Sequence, residues 1–448
     1  MDKKTLKRLA DLSEKTSLIQ EELYDQYSVK RGLRNRDFTG VLVGLTHIGD
    51  VVGYDNIEGK VIPAHGKLLY RGMEIRDLVQ GFQNEYRPGF DEIVFLLLFG
   101  KLPTTQELED FSSYLGDLRD LPDNFTEDMI LKLKGKDLMN MLARGVLALY
   151  VTDDNADDTS VLNILEQGIN LIAKLPTIIA YSYNAMSHHF QRKHLVIRHP
   201  KKELSTAENF LYMMKGEKKY TSLDAEILDL ALVLHAEHGG GNNSSFTTHV
   251  VSSSGTDTYS AIAAAIGSLK GPLHGGANLR VMGMMEEIKN NVKDWKDEKE
   301  VSDFLSRILQ KEVYDRSGKI YGFGHAVYTL SDPRALLLKE KARELAVEKN
   351  RLDEFKLYEL LEELVPKVFE QQKGNKKILT TNVDYYSGFV YDCIGIPKDV
   401  FTPIFAMARI SGWVAHRLEE LISSRRIIRP AYKNVVNYCD YIPIDKRK

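Results

Sequence analysis

The chain has 448 residues, of which 43% are apolar and 27% charged, and its formal net charge is −3. This length exceeds what one hydrophobic core usually serves, so we expect two or three cooperating lobes and not a small binding module. The near-neutral charge balance gives no reason to expect a nucleic acid as a partner. Proline is scarce, with 13 residues, which favours long uninterrupted helices.

The cysteines, the first residues and the longest apolar run indicate in which cellular compartment the protein is expected. Cys393 and Cys439 lack the spacing of a zinc ribbon or of a disulfide framework. The first 15 residues contain no apolar signal region. The clean apolar run from Ile93 to Phe99 is far shorter than the roughly 20 residues of a membrane helix. We therefore expect a cytoplasmic protein with no membrane segment.

Apolar residues recur at helical spacing through much of the chain, and alternating strand patterns are short and few. The predicted fold class is therefore all-α. The first predicted element is an amphipathic helix that carries Leu6 to Leu23 on one face. The glycine- and aspartate-punctuated stretch 40–70 predicts loops with two short strands.

Several helix boundaries can be predicted from local signals. Thr104 with Glu107 and Ser205 with Glu208 have the spacing of a capping box, which opens a helix. A leucine stripe ends at glycines that begin with Gly239, which places His235 and His238 at a helix end. Further helical patterns cover residues 257–269, 278–291, 301–312, 333–349, 352–372 and 399–424.

The loops between these helices carry ionisable residues. His274 lies in GPLHGGAN, where it could contact a ligand or could be an ordinary loop histidine. His325 follows a Gly-x-Gly loop, and Arg334 opens a helix behind Asp332. An arginine in the first turn opposes the helix dipole by about 0.3–1 kcal/mol unless an anion lies there. This position favours an anionic substrate over a solvated arginine.

A carboxylate in LTTNVDYYSG is the candidate base. Asp384 lies among apolar and aromatic residues, where burial would raise its pKa towards the range of a general base. Taken alone, the pattern favours the alternative of a helix cap or an Asx turn. Arg409 on a helix and Arg429 before a proline would, by themselves, be interpreted as solvated side chains.

Other chemistries lack their motifs. The spacing of His235 and His238 is not HExxH, and it lacks the pairing of a di-iron bundle, so no metal site is predicted. A nucleophile elbow, a Walker A loop and a dinucleotide-binding fingerprint are all missing from the sequence. Hydrolysis by a serine triad, phosphate-loop chemistry and hydride transfer are therefore not expected.

Taken together, the motifs resemble the citrate synthase family. They are HAEHGGGNNSS, GPLHGGAN, GFGHAVY with DPRA, NVDYYSG, ARISGWVAH and the terminal RP, in the family's order and at similar spacing, with YRGMEIRDL as its N-terminal segment. The resemblance implies an all-helical homodimer with a mobile small domain. It places a large domain at 1–277, the small domain at 278–390 and a return segment of the large domain at 391–448.

The resemblance also implies roles for individual residues. The implied catalytic residues are His274, His325 and Asp384. The implied oxaloacetate ligands are His238, Asn242, Arg334, Arg409 and Arg429, the last reaching the partner subunit's site. The expected coenzyme A contacts are Arg71, Leu273, Gly322, Gly324, Ala326 and Asn382. No tightly bound cofactor is expected, since the coenzyme A thioester is a co-substrate, and the histidines other than 235, 238, 274 and 325 are assigned to packing and solvation.

The chain departs from the family's pattern at several positions. Thr329 to Ser331 replace a basic residue that often binds coenzyme A phosphate, and Ala326 stands where an arginine is common. Arg71 or Lys376 would then supply that contact. Gly239 and Gly240 stand where glutamate often follows the second histidine. The rival hypotheses are 2-methylcitrate synthase with propionyl-CoA, a metal-dependent hydrolase and a non-catalytic helical homologue.

Overall fold

The computed structural model describes residues 1–35, 39–57, 60–374, 379–424 and 426–447. Helices dominate this part of the chain, and its strands form one three-stranded antiparallel sheet. The predicted all-α class is therefore confirmed, with a small sheet added to it. The strands are β1 (Gly49–Ile57), β2 (Lys60–Tyr70) and β3 (Met73–Glu74).

The α-helices follow in chain order. The N-terminal half contains α1 (Lys3–Ser17), α2 (Glu21–Gln26), α3 (Ile75–Asn84), α4 (Phe90–Phe99), α5 (Thr105–Asp117), α6 (Leu138–Leu149), α7 (Val161–Gln191), α8 (Thr206–Lys215) and α9 (Ser222–His235). The C-terminal half contains α10 (Asn243–Ser252), α11 (Thr258–Lys270), α12 (Ala277–Asn291), α13 (Glu298–Leu309), α14 (Pro333–Glu348), α15 (Leu352–Lys373), α16 (Val383–Ile394) and α17 (Phe401–Glu419).

Helix starts with a local signal were predicted correctly. Helix α5 opens with the capping box of Thr104 and Glu107, and α8 opens with that of Ser205 and Glu208. Each such cap contributes about 1 kcal/mol because it satisfies amide groups that the helix itself leaves unpaired. The predicted N-terminal helix is wrong in extent, since it is two helices separated at Leu18, and no residue of either helix is buried. Without a packing partner, amphipathic spacing alone does not hold a long helix together.

The two strands within the stretch 40–70 are longer than predicted. Strands β1 and β2 have nine and eleven residues and pair from Gly49 opposite Tyr70, with an irregularity between Val52 and Tyr54. This hairpin contacts a loop more than 260 residues later. Glycines permit the approach, because a Cβ at Gly53 or Gly66 would lie within 2.3 Å of a carbonyl oxygen in residues 327–331.

Helix α17 is surrounded by other helices and contacts α4, α7, α9, α10 and α11. Trp413 and Arg409 on this helix are fully buried. A helix that is surrounded on all sides belongs to the core, and a charged side chain there is rare unless it has a specific partner. The helix therefore delivers a guanidinium group into the interior.

Helices α12 to α16 correspond to the predicted small domain, 278–390. They pack against one another through the pairs α13–α15, α12–α16 and α14–α16, while α14 and α16 also contact α9 of the remainder. The division into domains stays a prediction. In the part of the chain that the structure describes, no helix is both long enough and apolar enough to cross a bilayer.

Candidate active site

Two histidines from distant segments meet at the centre of the site. Helix α9 ends at His235, and His238 follows in the loop. The Nε2 atom of His238 lies 3.1 Å from Nε2 of His325, which belongs to the loop before α14. Burial lowers the pKa of His238 well below its usual range, so this ring is neutral near pH 7.

The backbone sets the tautomer of His325. Its Nδ1 atom accepts hydrogen bonds from the amides of Val327 and Tyr328, each at 3.1 Å, so the ring proton is assigned to Nε2. The ring also stacks on Tyr328 with 4.6 Å between centroids. Burial lowers the pKa of His325 to about 4, and Arg334 adds to this effect. His325 is therefore a neutral donor whose N–H points towards His238.

His274 is held by side chains from two helices. Its Nε2 atom lies 3.0 Å from the Ser244 hydroxyl at the start of α10, and that hydroxyl accepts a hydrogen bond from Trp413 Nε1 at 3.1 Å. The same hydroxyl lies 3.0 Å from Oδ1 of Asn242. Burial, and then the charge of Arg409, lowers the pKa of His274 to about 4. These contacts favour a positioned neutral imidazole over an ordinary loop histidine.

Asp384 lies in the first turn of α16 and not in a loop as predicted. The helix cap is Asn382, whose Oδ1 accepts from the Asp384 amide at 3.1 Å, so the alternative of Asp384 as the cap is wrong. Burial raises the pKa of the Asp384 carboxyl to about 6, although Arg334 and Arg409 oppose the shift. A carboxylate that is ionised near neutral pH and yet basic suits proton abstraction.

The environment of Arg334 differs from the prediction of an anionic substrate beside it. Arg334 is buried in the first turn of α14, as predicted, but the anion beside it is the helix's own cap. Asp332 accepts from Arg334 Nε at 3.0 Å and from Nη2 at 2.8 Å. Because this pair already offsets the unfavourable dipole interaction, the position of Arg334 does not by itself require an external anion.

Arg409 differs from Arg334, because among the described residues only one of its three guanidinium nitrogens has a hydrogen-bond partner. The side chain is fully buried, and its Nε donates to the His235 carbonyl oxygen at 2.5 Å. Both terminal nitrogens, Nη1 and Nη2, are buried without a hydrogen-bond partner among the described residues. Burial lowers the pKa of Arg409 to about 10, so the group still carries its charge at neutral pH. Two such donors form a ready site for a carboxylate.

The charges of Arg334 and Arg409 act on the pKa values of the other predicted residues, which shows that these residues share one site. The charge of Arg334 acts on His238, His325 and Asp384, and the charge of Arg409 acts on His238, His274 and Asp384. The structure therefore brings these six residues together. Arg429 is exposed in the C-terminal segment and lies outside this group in the single chain.

The predicted coenzyme A contacts divide into two groups. Gly322 and Asn382 line a cavity of about 320 Å³, and the Asn382 side chain donates to the Gly324 carbonyl oxygen at 3.0 Å. The side chain of Leu273 is 98% exposed, and Ala326 is also exposed, so neither helps to enclose a pocket in this structure.

Of the two basic residues predicted to bind coenzyme A phosphate, Arg71 does not line this cavity. Arg71 donates twice to the Leu97 carbonyl oxygen, at 3.0 and 2.7 Å, and borders a different cavity, where it neighbours Glu419. Lys376 lies outside the described residues. Thr329, which replaces the family's basic residue, binds the hairpin instead, with its hydroxyl 3.0 Å from the Ala64 carbonyl oxygen.

Sequence reasoning missed residues that support the site. Ser244 anchors His274, and Tyr70 donates to the carbonyl oxygens of Val233 and Glu237 at 2.9 and 3.2 Å. His416, which was assigned to packing, is fully buried and lies 3.0 Å from the Glu237 carboxylate. The available signals were a histidine inside the apolar helix α17 and a glutamate just after the end of α9. Within the described ranges, no group of three or more histidine, cysteine or acidic residues is arranged to hold a metal ion.

Known proteins are similar to this chain over most of its length. The family model described as "Citrate synthase, C-terminal domain" matches residues 37–431. Citrate synthase of Haloferax volcanii is 37% identical over 85% of this chain and 93% of its own length. 2-Methylcitrate synthase 1 of Corynebacterium glutamicum is 34% identical over 89% and 97%, respectively.

A solved structure agrees with these sequence matches. It is the ternary complex of citrate synthase from Thermoplasma acidophilum with carboxymethyl coenzyme A and oxaloacetate. It is 26% identical, covers 94% of this chain and 99% of its own, and superposes with a TM-score of 0.75. The family match, the fold and the converging histidines, arginines and aspartate lead to one conclusion: this chain belongs to the citrate synthase family.

Proposed function

We propose that this protein condenses acetyl-CoA with oxaloacetate and water to give citrate and free coenzyme A. The observation that carries the proposal is a pair of buried nitrogens on Arg409 that have no hydrogen-bond partner among the described residues, close to the contact between His238 and His325. Oxaloacetate has two carboxylates and one ketone. A guanidinium group binds a carboxylate through two parallel hydrogen bonds, and a neutral imidazole N–H binds a ketone oxygen.

The first chemical step is removal of a proton from the methyl group of acetyl-CoA. This group is a very weak acid, so a carboxylate succeeds only if the enolate oxygen is stabilised at the same time. Asp384 is the base, and its raised pKa matches it to operation near neutral pH. His274 is the donor to the thioester oxygen through Nδ1–H, which requires that the Ser244 hydroxyl donates to its Nε2, and its low pKa keeps the ring neutral.

The second step joins the two carbon skeletons. His325 donates its Nε2–H to the ketone oxygen of oxaloacetate, which makes the carbonyl carbon electrophilic and protonates the alkoxide as the bond forms. His238, Asn242, Arg334 and Arg409 hold the carboxylates and the ketone oxygen of oxaloacetate. Water then hydrolyses the citryl thioester and releases coenzyme A.

Closure of residues 278–390 over the substrates belongs to this proposal. Asp384 and His325 lie in that segment, whereas His238 and Arg409 lie outside it, so the site is complete only when the two parts meet. A closed site shields the enol and the thioester from water. The cavity beside Gly322 and Asn382 is then the place for an arm of coenzyme A.

We also propose a homodimer in the cytoplasm. The exposed position of Arg429 supports this, because an arginine that serves the partner's site must project from its own subunit. The exposed C-terminal segment offers Tyr432, Tyr438 and Tyr441 to a second copy. Both cysteines are free, which fits a reducing compartment.

The test is thiol release from acyl-CoA in the presence of oxaloacetate. Acetyl-CoA should give the higher specificity constant. The 34% identical 2-methylcitrate synthase makes propionyl-CoA the alternative substrate, because one methylene changes discrimination by only about 1–3 kcal/mol. A higher specificity constant with propionyl-CoA would support that alternative, and no thiol release from either would support the non-catalytic homologue.

A further inference from the structure

Four side chains outside the substrate site form a continuous hydrogen-bonded array. The Nε2 atom of His416 lies 3.0 Å from Glu237 Oε1, and its Nδ1 lies 3.1 Å from His249 Nε2. The Nδ1 atom of His249 lies 2.8 Å from Glu420 Oε2. Glu237 and His416 are fully buried, and Glu420 is 8% exposed. His249 and Glu420 border a cavity of about 470 Å³ together with Gly240 and Gly241.

The number of protons in this array follows from its geometry. Each of the three contacts joins two atoms that can accept, so each contact needs one proton between them. Two carboxylates and two imidazoles that share three protons have a net charge of −1. With one proton fewer, two lone pairs would face each other in a buried place, and with one more, two N–H groups would. The array therefore holds a single negative charge, which can lie at either end.

One end of the array lies against the substrate site. Glu237 Oε1 also accepts a hydrogen bond from the amide of Gly239, and Tyr70 contacts the backbone of Glu237. His238 lies between Glu237 and Gly239 in the sequence, so these contacts hold the backbone on both sides of it. Although burial favours the neutral acid, His416 and then Arg409 lower the pKa of Glu237, so its carboxylate opposes the buried positive charge of Arg409.

We propose that the array of Glu237, His416, His249 and Glu420 positions the oxaloacetate site. It keeps Glu237 as a hydrogen-bonded anion, and Glu237 in turn fixes the turn that carries His238 and balances Arg409. The four residues are positioning residues, since none of them contacts the reacting atoms. The charged groups that face the array are Arg409 at the Glu237 end and Glu419 near His249. The inference rests on the proposed placement of oxaloacetate at His238 and Arg409.

The test compares two substitutions of similar size at His249, which is remote from the substrate. His249→Leu removes two of the three contacts and leaves a nitrogen of His416 without a partner. His249→Gln can restore both contacts, because its amide N–H donates to Nδ1 of His416 and its oxygen accepts from the protonated carboxyl of Glu420. A Ser423→Ala variant is the control, since Ser423 borders the same cavity, carries no charge and is not a member of the array.

The readouts are KM for oxaloacetate at saturating acetyl-CoA, kcat, and the dissociation constant of oxaloacetate by calorimetry on the full chain. His249→Leu should raise KM and the dissociation constant about tenfold or more, the effect of losing a charge-assisted hydrogen bond, while kcat changes less than about threefold. His249→Gln should recover most of the affinity, and the control should match the wild type.

Equal affinities for the leucine and glutamine variants, or a fall in kcat at unchanged KM, would overturn the inference. Calorimetry distinguishes a failure of this inference from a failure of the proposed reaction. A wild type that binds oxaloacetate but releases no thiol would refute the proposed activity and leave the binding comparison decisive. A wild type that does not bind oxaloacetate would overturn both proposals.

Discussion

Replacing Asp384 by asparagine should stabilise the protein and remove its base at the same time. The environment raises the pKa of this carboxyl from 3.8 to about 6. At about 1.4 kcal/mol per pKa unit, the ionised form is about 3 kcal/mol less favourable in the folded protein than in the unfolded chain. Between pH 4 and 6 the folded protein binds more protons than the unfolded chain, so its stability falls as the pH rises. Above pH 6 the whole penalty is present.

The Asp384→Asn variant lacks this penalty because its side chain cannot ionise. Its free energy of unfolding should exceed that of the wild type by about 3 kcal/mol at pH 8, with a smaller difference at pH 5. Urea unfolding at both pH values measures this difference. Turnover at pH 8 should fall by about two to four orders of magnitude, because general base catalysis contributes that much.

Asp392→Asn provides the control, because Asp392 lies on the same helix and its carboxylate is paired with Arg351 at 2.7 Å. It should keep turnover and gain no stability. An Asp384→Asn variant that is no more stable than the wild type at pH 8, or equally stabilised at both pH values, would refute the argument from burial. Full turnover would refute the role of Asp384 as the base.

Further predictions concern pH, the anion site, the anchor of His274 and the dimer. The value of kcat/KM for acetyl-CoA should rise with pH on a limb near pH 6 as Asp384 ionises, and a flat profile between pH 5 and 8 would contradict this. Arg409→Lys should raise KM for oxaloacetate about 100-fold, because an ammonium group cannot make two parallel hydrogen bonds, and an unchanged KM would place the anion elsewhere. Ser244→Ala should lower kcat about tenfold because the anchor of His274 is lost, and it should also raise KM for oxaloacetate because the same hydroxyl contacts Asn242. Subunits with Arg409→Ala and subunits with Arg429→Ala should each be inactive, yet regain activity when dissociated and reassembled together, and no recovery would argue against a site shared between subunits.

Local patterns predicted those features whose physical causes are local. The capping boxes at Thr104 and Ser205 could be identified because both partners of each contact lie three residues apart. The helical class followed from apolar spacing within single helices. The order and spacing of the motifs identified the family, and with it the residues that meet around Arg409.

Features that depend on distant contacts were predicted poorly or not at all. The length of the hairpin was underestimated because its packing partner, around Thr329, lies more than 260 residues away. Asp384 was placed in a loop because α16 is buried along nearly its whole length and so lacks the one-sided apolar periodicity from which a helix is predicted. The predicted anion beside Arg334 proved to be its own neighbour Asp332, a choice between two partners that spacing cannot make.

The sequence by itself determined the helical class, the family and the identity of the chemical groups, because these depend on side-chain type and on short-range periodicity. The tertiary structure alone decided which of those groups are buried, paired or left with unsatisfied donors. In the described part of the chain, two nitrogens of Arg409 lack a partner because α17 passes through the core, and His416 meets Glu237 across 179 residues of sequence. Burial and charge pairing set the pKa values and the hydrogen-bonding capacity on which the proposed chemistry depends, and both are properties of the packed chain.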